Sequence, residues 1–249
     1  MCFKNIAFCS GGKDSVATLI LAKENGHPLD AAVFAEVMFD KETSGEHPLH
    51  IEFVRSRLKP FVENELNIPF IILRSQKTYM DYFTHIIQRG KGKGKMAGFP
   101  IPGLCAINRD CKLKPIRDFQ KSNGQHLENE YIGIAADEPV RLARLAGCKT
   151  SLLHKYGYTE NMARDLCKSY DLLSPIYDIS ARNGCWFCMN CSDREWVWLM
   201  KNAPDKVECL AHLERTKGLY RQCLTRTEPP SSLFKRLTPI ANQISIFDL

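Results

Sequence analysis

Short apolar runs punctuate the chain: Asn5–Cys9 (NIAFC), Ala31–Val37 (AAVFAEV), Phe70–Arg74 (FIILR), Tyr131–Ala135 (YIGIA) and Leu172–Ile176 (LLSPI). Each is nearly unbroken in hydrophobicity and rich in Ile, Val or Phe, where a half-exposed strand would alternate with polar residues. The pattern predicts strands buried on both faces, as in a parallel sheet. Helical spacing lies between them. Val16, Leu19, Ile20 and Lys23 fit one amphipathic helix that stops at Asn25-Gly26. Phe53, Val54, Leu58, Phe61 and Val62 predict a second, kinked or divided at Pro60. A third is expected from Pro139, in its first turn, to Gly147. This alternation predicts an α/β fold: a doubly wound, Rossmann-like parallel sheet of about five strands, with ligands at the carboxyl ends of the strands near the switch in strand order.

Past residue 183 the pattern changes. Strands give way to cysteines, tryptophans and helical signals. Ser192 and Glu195 have the spacing of a capping box opening a helix over WVWLMK. PDKVECLAHLERTKG reads as another helix, with Pro204 in front and Gly218 behind. The expected division is residues 1–182 as a nucleotide-binding α/β domain and 183–249 as a small helical, cysteine-containing C-terminal extension. RGKGKGKMAG, residues 89–98, reads as a mobile basic loop over the sheet edge. No internal repeat is found.

Composition narrows the class. The chain has 249 residues, 44% hydrophobic and 25% charged, as in an ordinary soluble globular protein. A net charge of +6 suits a polyanionic ligand without identifying one. The apolar start IAFC is too short for a signal peptide, and no segment reaches the roughly eighteen apolar residues of a membrane span. The expectation is a cytoplasmic protein with reduced thiols. Its 11 cysteines are then expected to hold metal where they cluster, rather than to form a disulfide framework.

The first apolar run leads into Ser10-Gly11-Gly12-Lys13-Asp14-Ser15 and then directly into a helix. Two glycines at such a junction let backbone amides converge, and the helix N-terminus adds partial positive charge. Ser10 and Ser15 bring hydroxyls and Lys13 a full charge, so the set reads as an anion cradle suited to phosphates. Its spacing is too short for the GxxxxGK[ST] P-loop, and it is not the GxGxxG dinucleotide fingerprint. The plain alternative is a tight turn with Lys13 in solvent.

SGGKDS after an N-terminal strand resembles the PP-loop of the ATP pyrophosphatases, or adenine nucleotide α-hydrolases. Glu42–Val54 (ETSGEHPLHIEFV) is similar to the TGxExPETxxF segment of the phosphoadenosine phosphosulfate (PAPS) reductase family. Gly133–Leu145 (GIAADEPVRLARL) resembles that family's glycine, arginine and glutamate segment, with Ala135 where arginine is usual. Arg109–Ile116 (RDCKLKPI) looks like its cysteine, lysine and proline region. The resemblance covers about residues 4–192 and extends to the branch that activates sulfur for DNA phosphorothioation.

The resemblance implies that Ser10, Gly11, Gly12, Lys13, Asp14 and Ser15 hold a phosphate chain, with Lys13, Asp14 and Ser15 catalytic. It implies that Glu36 or its neighbours approach the adenosine, and that Gly133, Asp137 and Glu138 flank the pocket. Arg141 reaches a phosphate or pairs with Glu138. Two chemistries share such a scaffold. In adenylation, a substrate oxygen attacks the α-phosphate of ATP and pyrophosphate leaves, with Mg²⁺ on the phosphates and Asp14 near it. In sulfonucleotide reduction, a cysteine of an ECGxH motif attacks the substrate sulfur. Here Glu208–His212 reads ECLAH, with Leu210 for the glycine and a strong helical pattern around it, so Cys209 reads as structural. The leading expectation is an ATP-dependent adenylating enzyme working in sulfur transfer. Reduction of PAPS or adenosine phosphosulfate is the alternative, and a nucleotide-binding regulator without turnover is a third reading.

GCWFCMNCSD places Cys185, Cys188 and Cys191 at two successive CxxC spacings, and LCAINRDCK adds Cys105 and Cys111. CxxC lets two thiolates turn toward one metal. Zinc would take four of these five in a closed tetrahedral site. A 4Fe–4S cluster would take Cys185 and Cys188 with two others, and the resemblance points toward the cluster. The competing reading is buried apolar cysteines beside Trp186 and Phe187. Cys2, Cys9, Cys148, Cys167, Cys209 and Cys223 are scattered and read as core.

Arg89, Lys91, Lys93 and Lys95 on glycine spacers read either as contacts to a nucleic-acid substrate or as a solvated loop. Trp186, Trp196 and Trp198 offer stacking surfaces, although Trp196 and Trp198 cannot share a helix face. Gln243–Phe247 (QISIF) resembles a sliding-clamp peptide, against the simpler reading of an apolar tail tucked on the domain.

Overall fold

A computed structural model describes residues 3–100, 105–124 and 126–243. The QISIF expectation falls almost wholly on residues 244–249, outside the described residues. The strands are β1 (Asn5–Phe8), β2 (Ala31–Glu36), β3 (Phe70–Arg74), β4 (Met96–Gly98), β5 (Asn129–Ile132), β6 (Lys149–Thr150) and β7 (Leu219–Arg221). The helices are α1 (Lys13–Glu24), α2 (Pro48–Phe53), α3 (Tyr79–Phe83), α4 (Lys114–Asn123), α5 (Pro139–Leu142), α6 (Leu152–Lys155), α7 (Glu160–Ser169), α8 (Asp193–Asn202), α9 (Pro204–Glu214) and α10 (Pro230–Gln243). None of the described helices is long and apolar enough to cross a membrane.

The chain forms two compact units whose segments interleave. The first comprises residues 1–36, 49–74 and 113–177; the second comprises 37–48, 75–112 and 178–249. Segments 37–48 and 75–112 thus belong to one compact unit with the C-terminal residues.

The first unit holds a five-stranded parallel sheet of order β3-β2-β1-β5-β6. The chain leaves β1 toward β2 and β3 on one side, then returns to β5 and β6 on the other. The switch in strand order therefore lies between β1 and β5, the place where open α/β sheets bind ligands. Ala7 of β1 is in register with Ala32 of β2 and Tyr131 of β5. Helix α1 is buried without a break from Ser15 to Ala22, more completely than an amphipathic pattern predicts, because α6 and α7 cover the side facing away from the sheet. It ends at Asn25, followed by Gly26 at φ 64°, a left-handed position that glycine takes without strain.

Four of the five expected strands are present. The fifth, LLSPI, is not a strand: residues 175–178 form a 3₁₀ turn, since Pro175 has no N–H for a ladder. Its place in the sheet is taken by the two-residue β6, which carries no apolar run. Around Pro60 the chain widens into π-type turns at Val54–Leu58 and Phe61–Glu65, which accommodate the proline without ending the helical path. The helix from Pro139 closes at Leu142, earlier than expected, and turns follow.

The second unit is built on an aromatic and aliphatic core that includes Tyr79, Phe83, Phe99, Trp186 and Trp196. The capping box is complete: Ser192 Oγ accepts from the Glu195 amide while Glu195 accepts from the Ser192 amide. Residues 89–98, expected as a mobile loop, are folded back on themselves and end in β4. β4 pairs in parallel with β7, a strand within the tail that was expected to be helical.

Candidate nucleotide cradle and cysteine cavity

Residues 9–12 link β1 to α1 within the first unit. Gly11 sits at φ +72°, and a β-carbon there would come within 2.8 Å of Val54 and 2.9 Å of the His50 ring. Gly12 is the N-cap of α1 in extended conformation, and no side chain caps the helix. The start of α1 thus lies at the carboxyl end of β1 with no side chain of its N-cap residue bonded to its first turn, an arrangement that can receive anions. Ser10 and Ser15 hydroxyls lie 3.4 Å apart, and Ser15 Oγ donates to the Gly12 carbonyl.

The other side of the cradle is β5. A β-carbon on Gly133 would stand 2.6 Å from both the Asp14 carbonyl carbon and the Ser15 nitrogen. Glycine is therefore required for this strand end to lie against the loop.

Lys13 is the charged centre. Its Nζ lies 2.7 Å from Glu160 and 3.0 Å from Asp14, with the side chain 12% exposed. Burial opposes its charge, but the Glu160 and Asp14 carboxylates outweigh that and hold the ammonium above its ordinary range. Burial raises Asp14, although Lys13 works against it. The Lys13 backbone N–H donates to the Tyr177 hydroxyl at 3.0 Å. Cys167 donates to the Lys13 carbonyl, and burial pushes that thiol to about 12, so it is inert as a nucleophile.

Asp137 accepts from the Glu160 amide at 3.1 Å, which links it to the Lys13 partner. Glu138 accepts from the Ala135 amide and from Arg141 at 2.6 Å, so Arg141 is engaged by Glu138. Glu36 is 0% exposed, with Arg55 at 2.9 Å on one oxygen and Arg74 at 2.6 Å on the other. Both of its oxygens are occupied by protein.

Glu160, Tyr177 and His50 were not singled out in the sequence. His50 is buried, with Nε2 2.9 Å from the Ser10 carbonyl and Nδ1 3.0 Å from Ser174 Oγ. Since a carbonyl only accepts, Nε2 carries the proton and the loop backbone is fixed from below. The Thr159-Glu160 pair at the start of α7 has the look of a helix cap, and Thr159 does accept from the Met162 amide. Nothing in that local signal shows Lys13.

In the second unit, Cys105, Cys185 and Cys188 line one cavity of about 330 Å³, together with Arg182, Lys112 and Asn190. Segment 44–47 braces the cysteine loop. Trp186 N–H donates to the Gly45 carbonyl, the Trp186 indole to the Ser44 carbonyl, and His47 N–H to the Gly184 carbonyl. Cys111 turns elsewhere and donates to the Lys77 carbonyl at 3.1 Å. Cys191 Sγ lies 3.5 Å from the Cys185 carbonyl oxygen. The hydrogen bond from Cys191, with the Arg182 guanidinium at 3.5 Å, pulls the Cys188 thiol below its ordinary range. Burial raises Cys185.

Among the described residues no three His, Cys, Asp or Glu side chains are gathered as for a single ion. Cys105, Cys185 and Cys188 nevertheless line one cavity, and thiols are the donors that both zinc and iron–sulfur clusters take. Of the five cysteines expected to hold metal, the structure brings Cys105, Cys185 and Cys188 to this cavity, while Cys191, whose thiol interacts with that of Cys188, and Cys111 are outside its lining.

No protein-family model matches the chain, and no curated protein matches it. Among solved structures it is similar to the PAPS reductase of Candida auris in complex with phosphate: 12% identity and a TM-score of 0.47 over 74% of this chain and 82% of that one. It is also similar to the U34-tRNA thiolase NcsA of Methanococcus maripaludis with its [4Fe–4S] cluster: 16% identity and a TM-score of 0.41 over 94% of this chain and 82% of that one.

Proposed function

We propose that the chain is an enzyme of the PP-loop, PAPS-reductase-like kind that binds ATP at Ser10–Ser15 and transfers its adenylyl group. In that step a substrate oxygen forms a bond to the α-phosphorus, the bond to the bridging oxygen breaks, and pyrophosphate leaves with the electron pair. The observation that carries the reading is the Ser10–Ser15 cradle. Amides, two hydroxyls and Lys13 converge at the switch point, and Gly133 leaves the loop room. Negative charge grows on the departing pyrophosphate, and donors fixed beforehand stabilise it most there. Lys13 is held in place by Asp14 and Glu160 before any ligand arrives. ATP would displace part of this ion pairing, and Mg²⁺ on the phosphates would offset the carboxylates.

Reduction of a sulfonucleotide has less support. Cys209 lies within α9, next to the fully buried Leu210, and burial raises its thiol above the ordinary range. An attacking cysteine needs the thiolate and freedom to move.

Cys105, Cys185 and Cys188 are the residues that would hold a 4Fe–4S cluster in the second unit. Such a cluster would supply electron or sulfide handling, consistent with sulfur transfer.

The reading is tested by ATP binding with Mg²⁺, followed calorimetrically, and by pyrophosphate release in the presence of candidate acceptors. Wild type is expected to bind saturably at one site, and Lys13→Ala to lose at least tenfold in affinity. Binding of PAPS but not ATP, with sulfite release lost in Cys209→Ser, would overturn it.

A further inference from the structure

Arg89, Lys91 and Gly92 of the folded basic segment border a cavity in the second unit. This cavity of about 360 Å³ is walled by Tyr79, Tyr82, Phe83, Phe99 and Tyr220. Arg89 and Lys91 line the same cavity. This volume is in the range that takes a small ring system. Tyr220, on β7, is 44% exposed.

The basic segment is seated on this wall. A β-carbon on Gly92 would come within 2.7 Å of Ile87 and 2.8 Å of the Tyr220 ring, so only glycine lets the backbone lie on the tyrosine face. Gly94 N–H and Ile87 N–H bond to the Ile87 and Lys95 carbonyls, and Met96 N–H bonds to the Gly218 carbonyl. The spacer glycines therefore build a platform. They are not a flexible tether. Arg89, Lys91, Lys93 and Lys95 are all exposed on it, and among the described residues none of the four is paired with a carboxylate. Tyr79 adds a buried hydroxyl with no hydrogen-bond partner among the described residues, on a residue that lines the cavity.

Aromatic walls call for a flat, polarisable ring. Unpaired cations beside them call for phosphates. An exposed tyrosine at the mouth marks where a ring enters. We propose that this cavity holds an unstacked base of a single-stranded nucleic acid, with the flanking phosphates on Arg89, Lys91, Lys93 and Lys95. A duplex keeps its bases stacked and would use the cations alone. An acidic peptide or an anionic membrane would likewise leave the aromatic cavity unused. The inference goes beyond the adenylation reading and is measured without ATP, so either can fail while the other stands.

The test is fluorescence anisotropy with labelled single-stranded DNA and RNA of about 12 nucleotides, across a salt series. Wild type is expected to bind single strands better than a duplex of the same sequence. Tyr220→Ala should weaken binding about 5- to 150-fold, the effect of one lost stacking contact, with the salt slope unchanged. Tyr220→Phe should retain affinity, which separates loss of stacking from loss of fold. The combined Lys91→Gln, Lys93→Gln, Lys95→Gln variant should lower the slope of log K against log salt by about 2, at about 0.7 per phosphate contact. Equal binding by Tyr220→Ala, or binding of duplex, polyglutamate or anionic vesicles as tight as that of single strands, would overturn the proposal.

Discussion

Gly133 meets the backbone of Asp14 so closely that a β-carbon on the glycine would lie 2.6 Å from the Asp14 carbonyl carbon. The obstacle is main chain at the head of α1, which cannot swing aside as a flexible side chain would. Gly133→Ala is therefore expected to push β5 and the cradle apart. It should cost about 1–3 kcal/mol in stability, typical of overpacking, and reduce ATP affinity at least tenfold. Urea unfolding and calorimetric titration on the same preparation measure the two effects. Unchanged ATP affinity in a folded Gly133→Ala would mean that the ligand does not use this loop.

Glu36 and its two arginines predict an asymmetry. The carboxylate is fully enclosed, while Arg55 and Arg74 are about half exposed. Glu36→Gln leaves the arginines free to hydrate and is expected to cost about 1.5–3 kcal/mol, the range for hydrogen bonds to a charged group. Arg55→Ala with Arg74→Ala strands a buried negative charge and is expected to cost more, about 3–5 kcal/mol. Denaturant midpoints of the two variants give the order. The reverse order would show that the carboxylate is not buried in solution.

Asp110 carries an acid sensitivity that can be read from its partners. The Arg109 guanidinium donates to it at 2.8 and 2.6 Å and the Tyr82 hydroxyl at 2.7 Å, which together hold its carboxyl below the usual carboxylate range. A depressed folded-state pKa means that the stabilisation is present above the unfolded value of about 3.9. It is lost as pH falls through the folded value. Asp110→Asn is thus expected to be less stable than wild type at pH 6 and to lose less on acidification to pH 3. Because the pair is near the surface, the difference should be small and should shrink in high salt. Urea midpoints of both proteins across that range check it.

The cysteine cavity separates residues that the spacing alone left equivalent. Cys188→Ser and Cys185→Ser are expected to abolish iron content and the charge-transfer absorbance near 400 nm expected of such a site in anaerobically prepared protein. Cys111→Ser should leave both intact, since its thiol is turned to the Lys77 carbonyl. Metal analysis per chain decides the matter. Iron lost equally in all three variants would contradict the assignment, as would stoichiometric zinc that survives Cys188→Ser.

What the sequence made legible was local. The Asn5–Phe8 run, the two glycines and the α1 spacing are contiguous, and the element boundaries follow from them within a residue or two. The Ser192–Glu195 box is equally local and is satisfied in both directions. What escaped detection depends on distant partners. Lys149–Thr150 becomes a strand because Glu130 and Tyr131 lie beside it, not because of any pattern of its own. Met96–Gly98 finds Leu219–Arg221 across the chain in parallel, with no turn signal to announce the pairing. Leu172–Ile176 had the apolar pattern of a strand but contains a proline, and the missing N–H decided its fate. In the cradle, the Lys13 ammonium is held by the adjacent Asp14 and by Glu160 from 147 residues away, and its backbone N–H by Tyr177 from 164 residues away. The loop itself could be read as an anion site, but the carboxylate that fixes its lysine could not.

The most direct test of the central claim is an equilibrium titration of ATP and Mg²⁺ into the intact chain and into Lys13→Ala, with PAPS as competitor. The account predicts one saturable ATP site that weakens at least tenfold when Lys13 is removed and persists in Cys209→Ser. No ATP binding by the wild-type chain, or ATP affinity indifferent to Lys13, would contradict it.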